Sequence, residues 1–400
     1  MWIEWTIAVK FLREGRTQSL LILTGIAVGV AVIVFLSALI NGLQDNLIER
    51  TLGSQAHIKL EAPDEVNRVL PVADGTDHLV LEDRRPQRLR SINNWQQLRD
   101  TLDQQPQITA VSPIIAGPAF ARRGEAVESV VLMGIDVARY QQIIPVERDI
   151  VAGQLRIGAG DTVIGKELAY NLGARVGDKL RLDTGAENGT VVNITGIFSL
   201  GVRELDARYV YLDMKQAQAL LGLPGGATVI DMTVDDIFGA QAIAARIARL
   251  TGQKAESWME TNAQLMNALK SQSLSTNMIS FFVAMSVALG IASVLSVSVV
   301  QRTREIGILR AMGTTRRQML LVFLIQGALF GLAGSFIGGA LGYAMLWAFN
   351  TFGPKLFVVP VSWSLLLLAS ALATITGVAA AAVPARRAAA MDPVEAIRHV

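Results

Sequence analysis

Residues 17–44 read TQSLLILTGIAVGVAVIVFLSALINGLQ, a stretch of 28 residues without Asp, Glu, Lys or Arg. Three more charge-free stretches of 30 to 37 residues follow at 271–301, 318–354 and 356–385. A helix that spans a bilayer needs about 20 mostly apolar residues to cross an apolar core of about 30 Å. Two helices and a turn would need more than about 40 residues, so each stretch predicts one helix. The sequence therefore predicts four spans.

The basic residues lie on one side of these spans. Three precede the first span, five arginines occupy the short connection between the second and third, and three follow the fourth. The connection between the third and fourth spans has only Lys355. The positive-inside rule therefore predicts that both termini are cytoplasmic and that residues 45–270 are outside. The first apolar stretch is longer than that of a signal peptide, which predicts an uncleaved anchor.

These spans divide the chain into segments. In residues 1–18 one helical face is apolar, which predicts a cytoplasmic interfacial helix along the membrane surface. This face consists of Trp2, Trp5, Val9 and Leu12. A straight extension of the first span is the alternative. The other predicted segments are transmembrane helices at 19–43, 273–300, 319–349 and 361–383, an external domain at 44–272, a cytoplasmic connection at 301–318, an external loop at 350–360 and a cytoplasmic tail at 384–400.

The external domain alternates strand-like and helix-like segments. The predicted fold class is thus an α-helical membrane protein with four transmembrane helices and a large α+β periplasmic domain between helices 1 and 2. Residues 62–91 lack periodicity and predict a loop or an extended hairpin. From about residue 260 a continuous helix is predicted to lead into the second span. Strands are predicted at 55–61, 109–118, 128–135, 162–164, 179–183, 190–198, 209–212 and 228–234, and helices at 94–104, 166–172, 214–221 and 237–250.

The sequence does not support an enzyme active site. Residues 160–166 (GDTVIGK) match a permissive phosphate-loop pattern, but Glu167 stands where Ser or Thr would ligate magnesium. The stretch instead predicts a strand that turns into a helix. The three histidines show no metal-ligand spacing, and the chain has no cysteine. A net charge of +2 gives no reason to expect a nucleic-acid partner.

Glycines recur on one face of the third span at spacings of three or four residues. Small residues at this spacing allow another helix to approach closely. The pattern indicates a packing seam, either within one bundle or in a dimer, and the general small-residue content of membrane helices is the alternative. The residues of this seam are Gly327, Gly331, Gly334, Gly338 and Gly342, and a smaller version in the first span consists of Gly25 and Gly29.

The connection at 301–318, QRTREIGILRAMGTTRRQ, is too long and too patterned for a plain turn. Ile306, Leu309 and Met312 form a short apolar face, Gly313 ends the turn, and arginines surround it. Such a segment can lie on the membrane and present a surface to a cytoplasmic protein. An anchor by positive charge alone fits the composition equally well.

Three stretches resemble permeases of the MacB/FtsX superfamily, the type VII ABC transporters. Residues 302–318 are similar to the loop after the second helix of these permeases, and residues 384–398 (PARRAAAMDPVEAIR) are similar to their ending. Within 163–178, the runs VIGKELA, LG and VGD resemble the signature of their periplasmic core domain. The dipeptides at 41–42 and 52–53, together with QGA in the third span, lean towards the lipoprotein-releasing LolC/LolE-type permeases.

The resemblance implies a transport subunit without its own ATPase motif, with ATP and magnesium bound by a cytoplasmic ABC ATPase dimer. It implies a Gram-negative inner membrane location and three further partners, namely a second permease copy or paralogue, a periplasmic carrier or adaptor, and membrane lipids. In this family the ATPase moves the cytoplasmic loop and the external domains follow, which is mechanotransmission. The implied substrate is a lipoprotein or lipid-linked molecule. Tripartite efflux of small amphiphiles and activation of a cell-wall hydrolase remain alternatives.

The resemblance also implies two sets of site residues. Gly25, Gly29 and residues 37–42 of the first span would line an opening to the outer leaflet. Val34, Phe35 and Leu39 would contact acyl chains there, because each CH₂ of a lipid anchor exposed to water costs about 0.8 kcal/mol. Packing against neighbouring helices is the alternative for these residues. The residues implied to couple the permease to its ATPase are Arg304, Glu305, Ile306, Gly307, Leu309, Arg310, Gly313, Arg316 and Arg317.

Overall fold

The computed structural model describes residues 2–14, 16–64, 89–185, 189–353, 357–360 and 363–392. Most of the predicted loop at 62–91, part of the predicted loop at 350–360 and the tail after Asp392 lie outside these ranges. The chain divides into two compact units. The unit formed by Met1–Leu47 and Asn267–Val400 is termed the helical unit, and Ile48–Met266 is termed the sheet unit.

The elements are numbered in chain order. The helices are α1 (Trp2–Glu14), α2 (Arg16–Gly53), α3 (Trp95–Asp103), α4 (Val137–Tyr140), α5 (Lys166–Asn171), α6 (Arg203–Arg208), α7 (Met214–Leu220), α8 (Ala240–Thr251), α9 (Trp258–Thr261), α10 (Ala263–Gln301), α11 (Thr303–Ala311), α12 (Arg316–Phe352) and α13 (Trp363–Ala390). The strands are β1 (Ile58–Glu61), β2 (Ile108–Arg123), β3 (Ala126–Ile135), β4 (Ile150–Gly153), β5 (Asp161–Gly165), β6 (Lys179–Asp183), β7 (Thr190–Phe198), β8 (Tyr209–Asp213), β9 (Val229–Val234) and β10 (Lys254–Ser257).

Four helices in the described part of the chain are long and apolar enough to cross a membrane, namely α2, α10, α12 and α13. This confirms the four predicted helices. Helices α2 and α10 have 38 and 39 residues, about 57 Å at 1.5 Å per residue, whereas the apolar core of a bilayer is about 30 Å thick. Both helices extend past the predicted spans, since residues 44–52 and 263–272 contain no Pro or Gly to interrupt helical hydrogen bonding.

Helix α1 packs on the rest of the helical unit through a face other than the one predicted to lie on the membrane. Ala8 and Phe11 are buried, and the Phe11 ring lies 6.4 Å from the ring of Phe323 on α12. Trp5, on the predicted apolar face, is half exposed. On the packed face, the Ala8 carbonyl accepts a hydrogen bond from Gln326 Nε2 of α12 at 3.4 Å. The membrane-facing stripe stays a prediction.

The sheet unit contains one mixed sheet, which confirms the α+β class. Its order within the described residues is β10-β1-β9-β2-β3-β8-β5-β7-β4, with β6 paired to β2 and β7. Strands β3 and β8 run parallel, as do β5 and β7. The sequence did not predict β4 and β10. These two end the order, and edge strands with mostly exposed or half-exposed residues lack the alternation that predicts a strand.

The phosphate-loop-like stretch is the turn from β5 into α5, as predicted. A Cβ on Gly165 would overlap the backbone of Asp206 in α6. The buried Asp206 carboxylate accepts hydrogen bonds from Ser199 Oγ at 2.9 Å and from the Leu200 backbone N–H at 2.8 Å. Glycine is therefore needed here for close backbone approach, and no phosphate contact has to be invoked.

A buried carboxyl group lies on β9, an inner strand of the sheet. Asp231 on β9 pairs in register with Lys59 on β1 and with Ser112 on β2. Asp231 Oδ1 and Ser112 Oγ are buried and make no hydrogen bond within the described residues. Burial raises the pKa of the Asp231 carboxyl to about 6; Lys59 opposes this rise and Glu61 adds to it.

Asp231→Asn is expected to remove a pH dependence of folding stability. The carboxyl pKa is about 6 in the folded chain against an ordinary 3.8. As pH rises from about 4 to about 6, the unfolded chain loses this proton first and the free energy of unfolding falls by about 3 kcal/mol. The variant should therefore unfold at a higher temperature than the wild type near pH 7.5, and at a similar temperature near pH 4.

Thermal unfolding of the detergent-solubilised chain at both pH values measures this difference. Asp235→Asn, which changes an exposed carboxylate just after β9, is the matched control and should follow the wild type at both pH values. A gap between wild type and Asp231→Asn that is equally large at both pH values would contradict the assignment.

Candidate functional site

The predicted cytoplasmic connection folds as a short helix and a capped turn. Helix α11 ends in a Schellman motif, in which the N–H of Gly313 bonds to Arg310 O and the N–H of Thr314 bonds to Leu309 O, both at 3.1 Å. Gly313 has φ +103°, a conformation that glycine adopts without strain. Thr315 then caps α12, and its backbone N–H and Oγ1 both contact Gln318 Oε1 at 2.9 Å. The connection is therefore an ordered short helix followed by an ordered turn.

Of the three residues predicted to form an apolar face, Ile306 and Leu309 point into the helical unit, whereas Met312 does not. Ile306 is fully buried and Gly307 is also buried. Leu309 packs on the same cluster, so these three members of the predicted coupling set lie in a core and not on an exposed surface. These residues are buried because α11 folds back onto the other helices of the helical unit and packs its apolar side chains against them. The other buried members of the cluster are Ala8, Phe11, Val299, Met319, Val322, Phe323, Ala385, Ala388 and Ala389.

The opposite face of α11 and the turn after it are exposed. Ile308 is 43% exposed and Met312 is 72% exposed, so two apolar side chains face away from the bundle. Such apolar side chains within a basic rim can anchor a partner surface that has an apolar cleft and acidic edges. The exposed rim consists of Arg304, Glu305, Gly313, Arg316 and Arg317.

Arg310, a member of the predicted coupling set, binds another helix of this chain. Its Nη1 donates a hydrogen bond to the Ala389 carbonyl at 3.0 Å and another to the Met391 carbonyl. These carbonyls lie at the C-terminal end of α13. Sequence spacing could not show this, because the acceptor carbonyls are about 80 residues away in the chain.

A second arginine of the connection was not singled out by the sequence. Arg302 donates to the Phe11 carbonyl at 2.9 Å, and its guanidinium lies 4.6 Å from the centre of the Phe11 ring. A cation over an aromatic face is an attractive contact. The available signal was an aromatic residue near the end of the predicted first helix and an arginine at the start of the family-like motif.

The glycine seam of α12 makes two different contacts. Near its N-terminal end, Gly327 and Gly331 face α13. A Cβ on Gly331 would lie 2.7 Å from the Ala373 carbonyl oxygen, and a Cβ on Gly327 would overlap Gly377. Both contacts are closer than a real Cβ allows, so glycine permits this helix pair to touch through its backbone.

The rest of the seam faces α2. Gly334, Gly338 and Gly342 each leave space that a residue of α2 occupies. A Cβ on Gly338 would lie 2.6 Å from the Ala27 carbonyl oxygen, and one on Gly342 would lie 3.0 Å from Val34. One glycine stripe therefore receives a different helix at each of its ends.

The two glycines of α2 differ in their surroundings. A Cβ on Gly29 would lie 2.7 Å from Val287 on α10, so Gly29 is a close-packing position. At Gly25, apart from its chain neighbours and the adjoining helix backbone, no described atom lies within 4 Å of the Cβ position. Gly25 instead lines an apolar groove of about 430 Å³ between α2 and α10, whose wall includes Gln18, Leu21, Ser286, Gly290 and Val294.

The residues predicted to contact acyl chains at a lateral opening pack against other parts of this chain. Val34 is 1% exposed and packs against Gly342 of α12, so in this arrangement of the helices it is a core position. Phe35 makes an edge contact with Phe349, with ring centres 6.4 Å apart. Leu39 packs on the same cluster. The weighed alternative, packing against neighbouring helices, describes all three positions.

Comparison with known proteins gives the class of the chain. A family model described as the MacB-like periplasmic core domain matches residues 19–250, and one described as FtsX-like permease C-terminal matches residues 277–393. The first covers more than half of the chain. The chain therefore belongs to the MacB/FtsX superfamily of ABC transporter permeases, and its four apolar helices make it a multi-pass membrane protein.

Three relatives and one solved structure are similar to this chain. The lipoprotein-releasing system transmembrane protein LolC of Xylella fastidiosa is 24% identical, and the alignment covers 98% of both chains. LolE of Haemophilus influenzae is 25% identical over 82% of this chain and 77% of LolE. The uncharacterized permease YknZ of Bacillus subtilis is 28% identical over 63% and 64%. Among solved structures, the periplasmic region of MacB from Actinobacillus actinomycetemcomitans covers 55% of this chain, at 14% identity and a TM-score of 0.35.

Proposed function

We propose that this permease extracts lipoproteins or lipid-linked molecules from the inner membrane, driven by a partner ATPase. The observation that carries the proposal is the end-to-end likeness to LolC, which covers 98% of both chains and thus both the helical and the sheet unit. MacB of Escherichia coli, a macrolide export protein, aligns with only 43% of this chain. Lipoprotein extraction is therefore preferred to efflux of small amphiphiles.

In the proposed orientation, both termini and α11 are cytoplasmic and the sheet unit is periplasmic. The basic residues around α11 support this, because positive charge is retained on the cytoplasmic side. The ATPase dimer would bind the exposed face of α11 through Ile308 and Met312. It would supply the bound ATP and magnesium, while this chain supplies the surface that is moved.

Force would pass through continuous helices. Residues of α2 and α10 belong to both units, since the unit boundaries at Leu47 and Asn267 fall inside these helices. Ile48 and Leu52 of α2 pack on the core of the sheet unit. A helix without a break transmits displacement along its axis, so motion at the cytoplasmic end would reach the periplasmic sheet.

Acyl chains would enter the permease from the bilayer through an opening beside α2, and the contact between α2 and α12 closes that opening in this structure. Val34 packs against α12 in the outer half of α2, so an opening there requires the two helices to separate. The groove at Gly25 lies near the N-terminal end of α2, which the proposed orientation puts in the inner leaflet. It is therefore not the proposed opening. Separation of α2 from α12, with a second permease copy or paralogue opposite, would expose Val34, Phe35 and Leu39 to the outer leaflet.

Reconstitution tests the proposal. Proteoliposomes that contain the permease, its ATPase and a triacylated lipoprotein are expected to release that lipoprotein to a soluble carrier when ATP is added. The unacylated form of the same lipoprotein is the matched control and should show no ATP-dependent transfer. ATP-driven export of a small amphiphile without lipoprotein release would instead establish an efflux permease.

A further inference from the structure

Two arginines of the connection between α10 and α12 bind the C-terminal ends of two other helices. The last four carbonyls of an α-helix have no partner within the helix and carry partial negative charge. Phe11 is among those carbonyls in α1, and Ala389 is among them in α13. Arg302 binds the first and Arg310 binds the second, at 2.9 and 3.0 Å.

The two arginines lie on either side of the buried Ile306. Ile306 contacts the cluster through apolar atoms, which resist separation but leave helices free to slide. A guanidinium that donates to carbonyls fixes direction as well as distance. The stacking of Arg302 on the Phe11 ring adds a second constraint on that side. Helix α11 is thus held to α1 at its first end and to α13 at its last.

Helix α1 is in turn connected to α2. Ser19 Oγ of α2 donates to the Leu12 carbonyl of α1 at 3.0 Å, so a second terminal carbonyl of α1 is bound by α2. A displacement of α1 would therefore be passed to α2. At the other end of α11, the partner helix α13 packs on α12 at Gly377 and Ala373, where the two helices contact each other through backbone atoms.

We propose that Arg302 and Arg310 are two separate mechanical links, one from α11 through α1 to α2 and the other from α11 to α13. Both are positioning residues, since they act on helix ends and their acceptor carbonyls belong to this chain. The inference rests on the proposed function, in which an ATPase moves α11. It assigns a distinct output helix to each arginine.

The experiment uses the assembled permease–ATPase complex with an environment-sensitive fluorophore on one introduced cysteine. The chain has no native cysteine, and Val28 on α2 and Val383 on α13 are both exposed. In the wild type, a non-hydrolysable ATP analogue is expected to shift the emission of both probes. Arg302→Gln should abolish the shift at position 28 and keep it at 383, whereas Arg310→Gln should do the reverse.

Arg386→Gln, an exposed arginine on α13, is the matched control and should preserve both shifts. Arg302→Lys and Arg310→Lys retain a charged donor and should restore part of the lost shift. Copurification of the ATPase with each variant verifies that α11 still binds it. The two-link assignment would be overturned if either variant lost the shifts at both probes. It would also be overturned if either variant kept the shifts at both probes. No shift at either probe in the wild-type complex would overturn the proposed ATPase coupling itself.

Discussion

Met312→Glu is expected to reduce the affinity of the permease for its ATPase by at least about thirtyfold, which corresponds to about 2 kcal/mol. Met312 is the most exposed apolar side chain of the α11 segment and lies directly before the turn at Gly313. An apolar anchor that is truncated or charged at the centre of an interface loses the contact and buries a carboxylate without a partner. Copurification and titration of the ATPase in detergent measure the loss.

Ala390→Glu is the control for this substitution. It places the same carboxylate at another exposed position, at the end of α13, and should leave the affinity within about threefold, as is usual for a neutral surface change of less than about 0.5 kcal/mol. Ile308→Glu should reproduce the defect of Met312→Glu, since both side chains are exposed on the same segment. Wild-type affinity in both Met312→Glu and Ile308→Glu would show that the ATPase binds elsewhere.

Gly338→Ala is expected to destabilise the helical unit by about 1–3 kcal/mol, the range found when an extra methyl group is forced into a packed core. The new Cβ would lie 2.6 Å from the Ala27 carbonyl oxygen, and backbone atoms cannot rotate away as a side chain can. Either α2 moves away from α12 or α12 bends. Thermal unfolding of the purified permease should show a lower midpoint temperature.

The neighbouring glycine gives a matched comparison. A Cβ on Gly339 would lie 3.6 Å from Leu366, which is ordinary van der Waals contact. Gly339→Ala therefore adds the same methyl group to the same helix without a clash, and it should leave the midpoint unchanged or raise it slightly, because alanine favours the helix. Equal midpoints for the two variants would mean that α2 and α12 do not pack at this seam.

Several features were determined by the sequence alone. The four apolar helices follow from the length of each charge-free stretch, and the boundaries 190–198 of β7 match its apolar alternation. The strand-to-helix turn at Gly165 was predicted from the local pattern. These signals are local, because helix and strand periodicities depend on neighbouring residues along the chain.

Other features depend on which helices and strands pack against each other in the folded chain. The glycine stripe of α12 predicted close packing, but only the structure divides it between α13, at Gly327 and Gly331, and α2, at Gly334, Gly338 and Gly342. The buried Asp231 could not be anticipated either, since a strand of alternating residues gives no sign of whether both of its faces are covered.

The connection at 301–318 shows the division most directly. The sequence determined that it is basic, has a short apolar face and is ended by Gly313, because composition and periodicity are properties of the chain itself. Only the tertiary structure decided that Ile306 and Leu309 face inward, that Ile308 and Met312 face outward, and that Arg310 binds the end of α13. A helical period states which residues share a face, but what that face contacts depends on elements distant in the sequence.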